Sequence, residues 1–180
     1  MTVPNIITLS RIALIPFFML SMSMGWRIAA LTVFSVIAIT DSLDGYLARK
    51  MNQISNFGKI IDPLADKLLV LAALAYFLEE GTVAAWVAVL VLARDLLISA
   101  LRTVAAASGV VIAADLSGKI KTAVQFVCVV AILSPWHQAE LFQGVRLCDI
   151  SAWSVAAITV WSGTDYMIRR RDILRETINN

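Results

Sequence analysis

An all-α membrane protein of six transmembrane helices is the fold this sequence predicts, and three observations predict it. Composition is the first: of 180 residues 59% are hydrophobic and 16% charged, with a mean hydropathy of +0.81, against about 25% charged residues in an ordinary soluble domain. Secondly, the apolar residues gather in six stretches, at 6–24, 28–48, 60–78, 83–101, 120–136 and 150–168, each close to the roughly 20 residues that cross a bilayer as a helix. The third is that basic residues crowd alternate loops. No repeat or low-complexity tract interrupts the chain, so one membrane domain over 1–180 is expected.

The elements follow in order. The first stretch has no basic segment before it and ends at Gly25, Trp26 and Arg27 without a cleavage-site pattern, so it is expected to stay in place as a signal anchor. Arg49, Lys50 and Lys59 flank the loop after the second stretch. Arg102, Lys119 and Lys121 flank the loop after the fourth, and Arg169, Arg170, Arg171 and Arg175 follow the sixth. Basic residues beside short loops mark the cytoplasmic side. The opposite loops hold Arg27 and Arg146 together with Glu79, Glu80, Glu140 and Asp149. Both termini are therefore expected in the cytoplasm. Trp26, Trp86, Trp136 and Trp153 fall at the other side, where an interfacial aromatic belt would lie.

Net charge is +2, from 15 basic and 13 acidic residues. That balance excludes a nucleic-acid partner, the tail arginines being the only basic tract. Cys128 lies within an apolar stretch and Cys148 in a polar loop, at different membrane depths, so both read as free packing thiols. His137, on the outer side, reads as a surface or interfacial residue without chemistry.

Ionisable residues inside the stretches carry the functional information, because charge in a bilayer costs several kcal/mol on insertion scales. The set is Asp41, Asp44, Asp62, Asp66, Lys67, Arg94 and Asp95, all in cytoplasmic halves by this topology. Asp41 and Asp44 are three apart and Asp62 and Asp66 four apart, so on helices each pair shares a face. Four converging carboxylates need cations, and oxygen ligands suit Mg²⁺, Mn²⁺ or Ca²⁺. A two-metal site for phosphoryl transfer fits this pattern, with Gly45 and Gly58 leaving room for phosphate and Arg49 offering a bidentate fork. Taken alone, the four Asp fit a proton or divalent-cation pathway equally well. Gly45 fits a close helix contact, and Lys67 and Arg94 fit counter-ions to Asp66 and Asp95. The outer halves of the six stretches carry almost no ionisable group, which favours a one-sided pocket over a path through the membrane.

Residues 41–66 read DSLDGYLARKMNQISNFGKIIDPLAD. That is Asp41-x-x-Asp44-Gly45-x-x-Ala48-Arg49, then Gly58-x-x-x-Asp62-x-x-x-Asp66 after eight residues. The run resembles the signature of the CDP-alcohol phosphatidyltransferase family at every fixed position, and the six-span layout extends the likeness over nearly the whole chain. The resemblance implies transfer of a phosphatidyl group from CDP-diacylglycerol to an alcohol with release of CMP. It implies Mg²⁺ or Mn²⁺ held by Asp41, Asp44, Asp62 and Asp66, with Asp66 as general base. Asp44, Gly45, Ala48, Arg49 and Gly58 would hold CDP-diacylglycerol. It further implies a homodimer in the bacterial inner membrane, with its active site facing the cytoplasm and membrane lipids around it.

Outside the signature, several runs resemble the subgroup whose acceptor is glycerol 3-phosphate. They are Pro4-Asn5 with Thr8 and Arg11, Arg94-Asp95 with Arg102, and Gly118-Lys119-Ile120-Lys121-Thr122 with Gln125. Asp95 departs from that pattern, where Glu is expected. Arg94, Arg102, Lys119 and Lys121 form a surplus of positive charge that suits an acceptor phosphate. Lys119 and Lys121 point about 200° apart on a helix, so one of the two is expected to enter the pocket. The alternatives are phosphatidylglycerol, inositol phosphate or serine as acceptor and, outside the class, a divalent-cation or proton transporter.

Overall fold

The computed structural model describes residues 3–50, 56–107 and 115–171, and among these the side chains other than those of 3–7, 41–50, 56–64 and 66. The described chain is all-α apart from one short hairpin. Its helices are α1 (Val3–Ser23), α2 (Arg27–Lys50), α3 (Asn56–Glu79), α4 (Ala85–Ala107), α5 (Leu116–Leu133) and α6 (Leu147–Arg169). Each falls on one predicted apolar stretch. Toward the predicted cytoplasmic side they run past it, α2 through Arg49 and Lys50 and α4 through Ala107, because small and long-chain charged residues are good helix formers. α5 stops at Leu133, short of the expected 136, since Pro135 disfavours helical backbone at Ser134.

The chain forms two compact units, Met1–Glu80 with Leu133–His137, and Gly81–Ile132 with Gln138–Asn180. In the first, α1 packs on both α2 and α3. Phe18 of α1 meets Phe34 of α2 with ring centroids 6.0 Å apart and planes tilted by 49°, within the range of favourable aromatic pairs. The α1–α2 turn closes at Gly25, whose φ of +74° costs a glycine little. Gly25 N–H donates to the Met22 carbonyl and Trp26 N–H to that of Ser21, both at 2.9 Å, which satisfies the orphan carbonyls of the helix end. Arg27 is ion-paired with Glu80. His137 is buried at 7% exposure, its Nδ1 3.1 Å from the Ser134 carbonyl oxygen. Of the two expected places, surface or interface, this overturns the surface.

In the second unit α4 packs on α6. Trp86 meets Trp153 at 5.3 Å, Arg94 lies against Gly163 and Arg102 lies over Tyr166. The contacts climb in the same order along both helices, so α4 and α6 run parallel. The buried face of α6 is rich in small residues, Ser151, Ala156, Thr159 and Ser162 beside Cys148, Val155 and Tyr166, and small residues let helix backbones approach closely. Ser151 and Thr159 donate to carbonyls one turn back, at 2.8 and 2.6 Å, so their hydroxyls are satisfied within the helix. Cys128 and Cys148 are buried and free, as expected, but Cys148 sits in the first turn of α6 rather than in a polar loop.

The element not anticipated is the antiparallel hairpin of β1 (Glu140–Phe142) and β2 (Val145–Arg146). Gln143 and Gly144 form its two-residue loop with φ of +41° and +86°, the pair of positive values a type I′ turn requires. Arg146 then opens α6. Its backbone N–H and Nε donate to Asp149 Oδ2 at 3.1 Å, and its Nη2 to Oδ1 at 3.2 Å. These bonds, the side-chain one foremost, hold the Asp149 carboxyl below the ordinary carboxylate range.

Candidate active site

The signature residues lie on helical backbone in the first unit. Asp41, Asp44, Gly45, Ala48 and Arg49 occupy the C-terminal part of α2, and Gly58, Asp62 and Asp66 the N-terminal part of α3. Three residues apart in one pair and four apart in the other, both Asp pairs keep the helical spacing that puts their Cα positions on one face. Their side chains lie outside the described residues, as do those of Ala48 and Arg49 and the surroundings of Gly45 and Gly58. Among the described residues no group of three or more His, Cys, Asp or Glu side chains comes together. On α1, Thr8 and Arg11 are buried, with Arg11 Nη2 3.4 Å from Thr8 Oγ1.

The second unit carries the predicted basic cluster, and here side-chain geometry is explicit. Lys121, on α5, is 3% exposed. Its Nζ donates to both carboxylate oxygens of Asp95 on α4, at 2.8 and 2.7 Å. Arg94 Nη1 donates to the same Oδ1 at 3.1 Å. Lys119 is exposed. Of the two lysines, then, Lys121 is the one turned inward. Gln125 lies one turn further along α5, buried, with Nε2 lacking a hydrogen-bond partner among the described residues.

α6 shapes the rest of the cluster. At Gly163 a Cβ would come within 3.3 Å of Arg94 Cγ, so glycine makes the space in which the arginine stem lies. Three residues on, the ring of Tyr166, 1% exposed, sits 5.5 Å from the Arg102 guanidinium carbon, inside cation–π range. Arg94 Nε, Arg102 Nε and Tyr166 Oη are buried without partners among the described residues. Arg94, Asp95 and Lys121 together carry a net charge of +1, and Arg102, two turns further along α4, adds a second positive charge on the same helix. Sequence reasoning missed Gly163 and Tyr166. The signal was present in their spacing: three apart on α6, they continue the face of Thr159 and Ser162.

A mainly helical chain with paired Asp residues on two successive helices and basic residues gathered on the next two has the features of a phosphate-group transferase. The chain belongs to the CDP-alcohol phosphatidyltransferase family, whose model matches residues 1–162. It is 38% identical over 187 residues to a CDP-diacylglycerol–glycerol-3-phosphate 3-phosphatidyltransferase of Bacillus subtilis, with 96% of each chain covered. To the Escherichia coli K12 protein of the same name it is 36% identical, covering 96% of this chain and 97% of that one. A probable phosphatidylglycerophosphate synthase of Mycobacterium tuberculosis is also 36% identical, over 96% of this chain and 85% of its own.

Proposed function

We propose that this chain transfers the phosphatidyl group of CDP-diacylglycerol to glycerol 3-phosphate, giving phosphatidylglycerophosphate and CMP. The observation that carries the choice of acceptor is the pair of cations, Arg94 and Lys121, on the single carboxylate of Asp95, with Arg102 two turns further along α4 against Tyr166. Serine would not require that surplus; a phosphate does. The similarity to relatives named for glycerol 3-phosphate, nearly end to end, supports the same acceptor.

The work divides among this chain's residues. Asp41, Asp44, Asp62 and Asp66 would hold Mg²⁺ or Mn²⁺, four oxygen donors at helical spacing being the set such hard cations take, and the bound ions would neutralise the diphosphate and the carboxylates around it. Asp44, Gly45, Ala48, Arg49 and Gly58 bind the cytidine and diphosphate, the small side chains leaving room and the arginine supplying charge. Arg94, Arg102 and Lys121 bind the acceptor phosphate, while Lys119 reaches lipid headgroups from its exposed position. Asp66 takes the proton from the 1-hydroxyl of glycerol 3-phosphate. That oxygen bonds to the β-phosphorus as the bond to CMP breaks.

The setting is a bacterial plasma membrane spanned by all six helices, with both termini and the active site cytoplasmic and a second copy of the chain completing a homodimer. Every helix exposes large apolar side chains, Phe17, Ile39, Leu71, Val89, Val127 and Val160 among them, as lipid-facing surfaces do. Among the described residues α5 is long and apolar enough to cross a membrane on length and composition. Trp26, Trp86, Trp136 and Trp153 are exposed, in keeping with an outer aromatic belt. The test is purified protein with CDP-diacylglycerol and, in turn, glycerol 3-phosphate, phosphatidylglycerol, inositol phosphate and serine. CMP release with glycerol 3-phosphate alone is expected, and release with another acceptor instead would overturn the assignment.

A further inference from the structure

Lysine carries its ammonium on a flexible stem with many rotamers, so a buried lysine that must meet a substrate has to be aimed. Lys121 is aimed by a residue on another helix. Its Nζ gives two of its three donors to Asp95 Oδ1 and Oδ2, at 2.8 and 2.7 Å, leaving one for a further acceptor. Arg94 Nη1 shares Oδ1 at 3.1 Å. Arg94 Nη2 lies 4.0 Å from where a Cβ would stand at Gly118, so that end of the guanidinium sits beside the first turn of α5. A carboxylate present only to tie α4 to α5 would be replaceable by an apolar pair of similar volume with no loss of stability. Such a pair would not leave an ammonium and a guanidinium side by side with donors to spare.

We propose that Asp95 is a positioning residue for the transfer reaction: without touching substrate, it holds the Lys121 ammonium, beside Arg94, in the orientation that receives the acceptor's phosphate. The inference rests on the assignment of Arg94, Arg102 and Lys121 to the acceptor. Asp95→Asn keeps the shape and one acceptor oxygen but removes the charge and turns an amide toward the ammonium. Losing the aim of a binding group by an ångström or so costs up to about 100-fold.

The experiment uses the full-length protein in mixed micelles and measures KM for glycerol 3-phosphate and for CDP-diacylglycerol separately. Asp95→Asn is expected to raise the first about 10- to 100-fold and leave the second unchanged, with kcat much less affected. Asp95→Glu, which keeps the charge and both oxygens, is expected to restore most of the loss. Lys121→Met should show the same selective rise, and the doubly neutral Asp95→Asn/Lys121→Met should add little to it, since nothing remains to be aimed. If Asp95→Asn does not fold, Asp95→Glu and the double variant carry the test. Unchanged acceptor KM in Asp95→Asn, equal rises in both KM values, or a further tenfold rise in the double variant over Lys121→Met would overturn the positioning role and leave the acceptor site standing. Unchanged acceptor KM in Lys121→Met would instead remove the acceptor-site assignment, and this role with it.

Discussion

Replacing Arg102 by Ala isolates one cation of the acceptor site. Among the described residues no carboxylate holds Arg102; it is steadied by the Tyr166 ring, 5.5 Å from its guanidinium carbon, and its Nε is buried without a partner. The group is thus placed before substrate arrives, and truncation removes a charged hydrogen bond to phosphate worth about 1.5 to 3 kcal/mol. At 1.36 kcal/mol per tenfold that is a rise of about 10- to 150-fold in KM for glycerol 3-phosphate. KM for CDP-diacylglycerol should stay where it is, because nothing in the proposed chemistry brings Arg102 to the nucleotide. The assay is initial-rate CMP release in detergent micelles with each substrate varied at saturation of the other. Arg102→Lys serves as the internal comparison, keeping charge while losing the planar group that stacks on Tyr166. Its KM should fall between those of wild type and Arg102→Ala. Equal rises in both KM values would make Arg102 structural and refute the reasoning.

Tyr166→Leu should weaken acceptor binding by the cation–π contribution of about 0.5 to 2 kcal/mol. Tyr166→Phe, which deletes a buried hydroxyl lacking a partner among the described residues, should leave KM unchanged and the melting temperature no lower. Asp66→Asn should still bind metal and CDP-lipid by calorimetry while turnover falls about 10²- to 10⁴-fold. Asp41→Asn and Asp62→Asn should lose nucleotide affinity too, and regain part of it at raised Mg²⁺ or Mn²⁺; rescue of Asp66→Asn by metal would make Asp66 a ligand rather than the base. Gly144→Ala meets no atom within 4 Å at its added methyl but sits at φ +86°, so it should destabilise the hairpin by about 1 to 2 kcal/mol, read as faster amide exchange across Glu140–Arg146 with activity retained. The Asp149 carboxyl, lowered by Arg146, contributes stability above the ordinary carboxylate value of about 3.9 that is lost as pH falls through its lower folded value. Amide exchange in the first turn of α6 should quicken over that acidic range in wild type and already be fast at neutral pH in Asp149→Asn.

The six helices were legible because apolar runs of bilayer length leave few other structures open to the chain. Their ends were less so. Hydropathy marks where the bilayer core would lie, whereas α2 and α4 continue through Lys50 and Ala107 on helix propensity alone. The hairpin escaped because Gln143-Gly144 is a weaker turn signal than Asn-Gly, although both need positive φ. The signature from Asp41 to Asp66 was readable in full, since its meaning lies in spacing along two helices. The direction of Lys121 was not. Two lysines two residues apart are equivalent until a partner chooses between them, and that partner, Asp95, lies 26 residues away on another helix. Tyr166 was passed over for the same reason: at the end of an apolar stretch a tyrosine reads as an interfacial residue until Arg102 is found against it.

The central claim is phosphatidyl transfer to glycerol 3-phosphate, and following one labelled phosphorus tests it most directly. Purified protein in lipid vesicles would be given CDP-diacylglycerol carrying ³²P in its lipid-side phosphate, together with unlabelled glycerol 3-phosphate and Mg²⁺. The account predicts that all transferred label appears in a lipid bearing two phosphates, and that the released nucleotide is unlabelled CMP in equal amount. Label leaving with the nucleotide as CDP, or a lipid product with one phosphate formed without glycerol 3-phosphate, would contradict it.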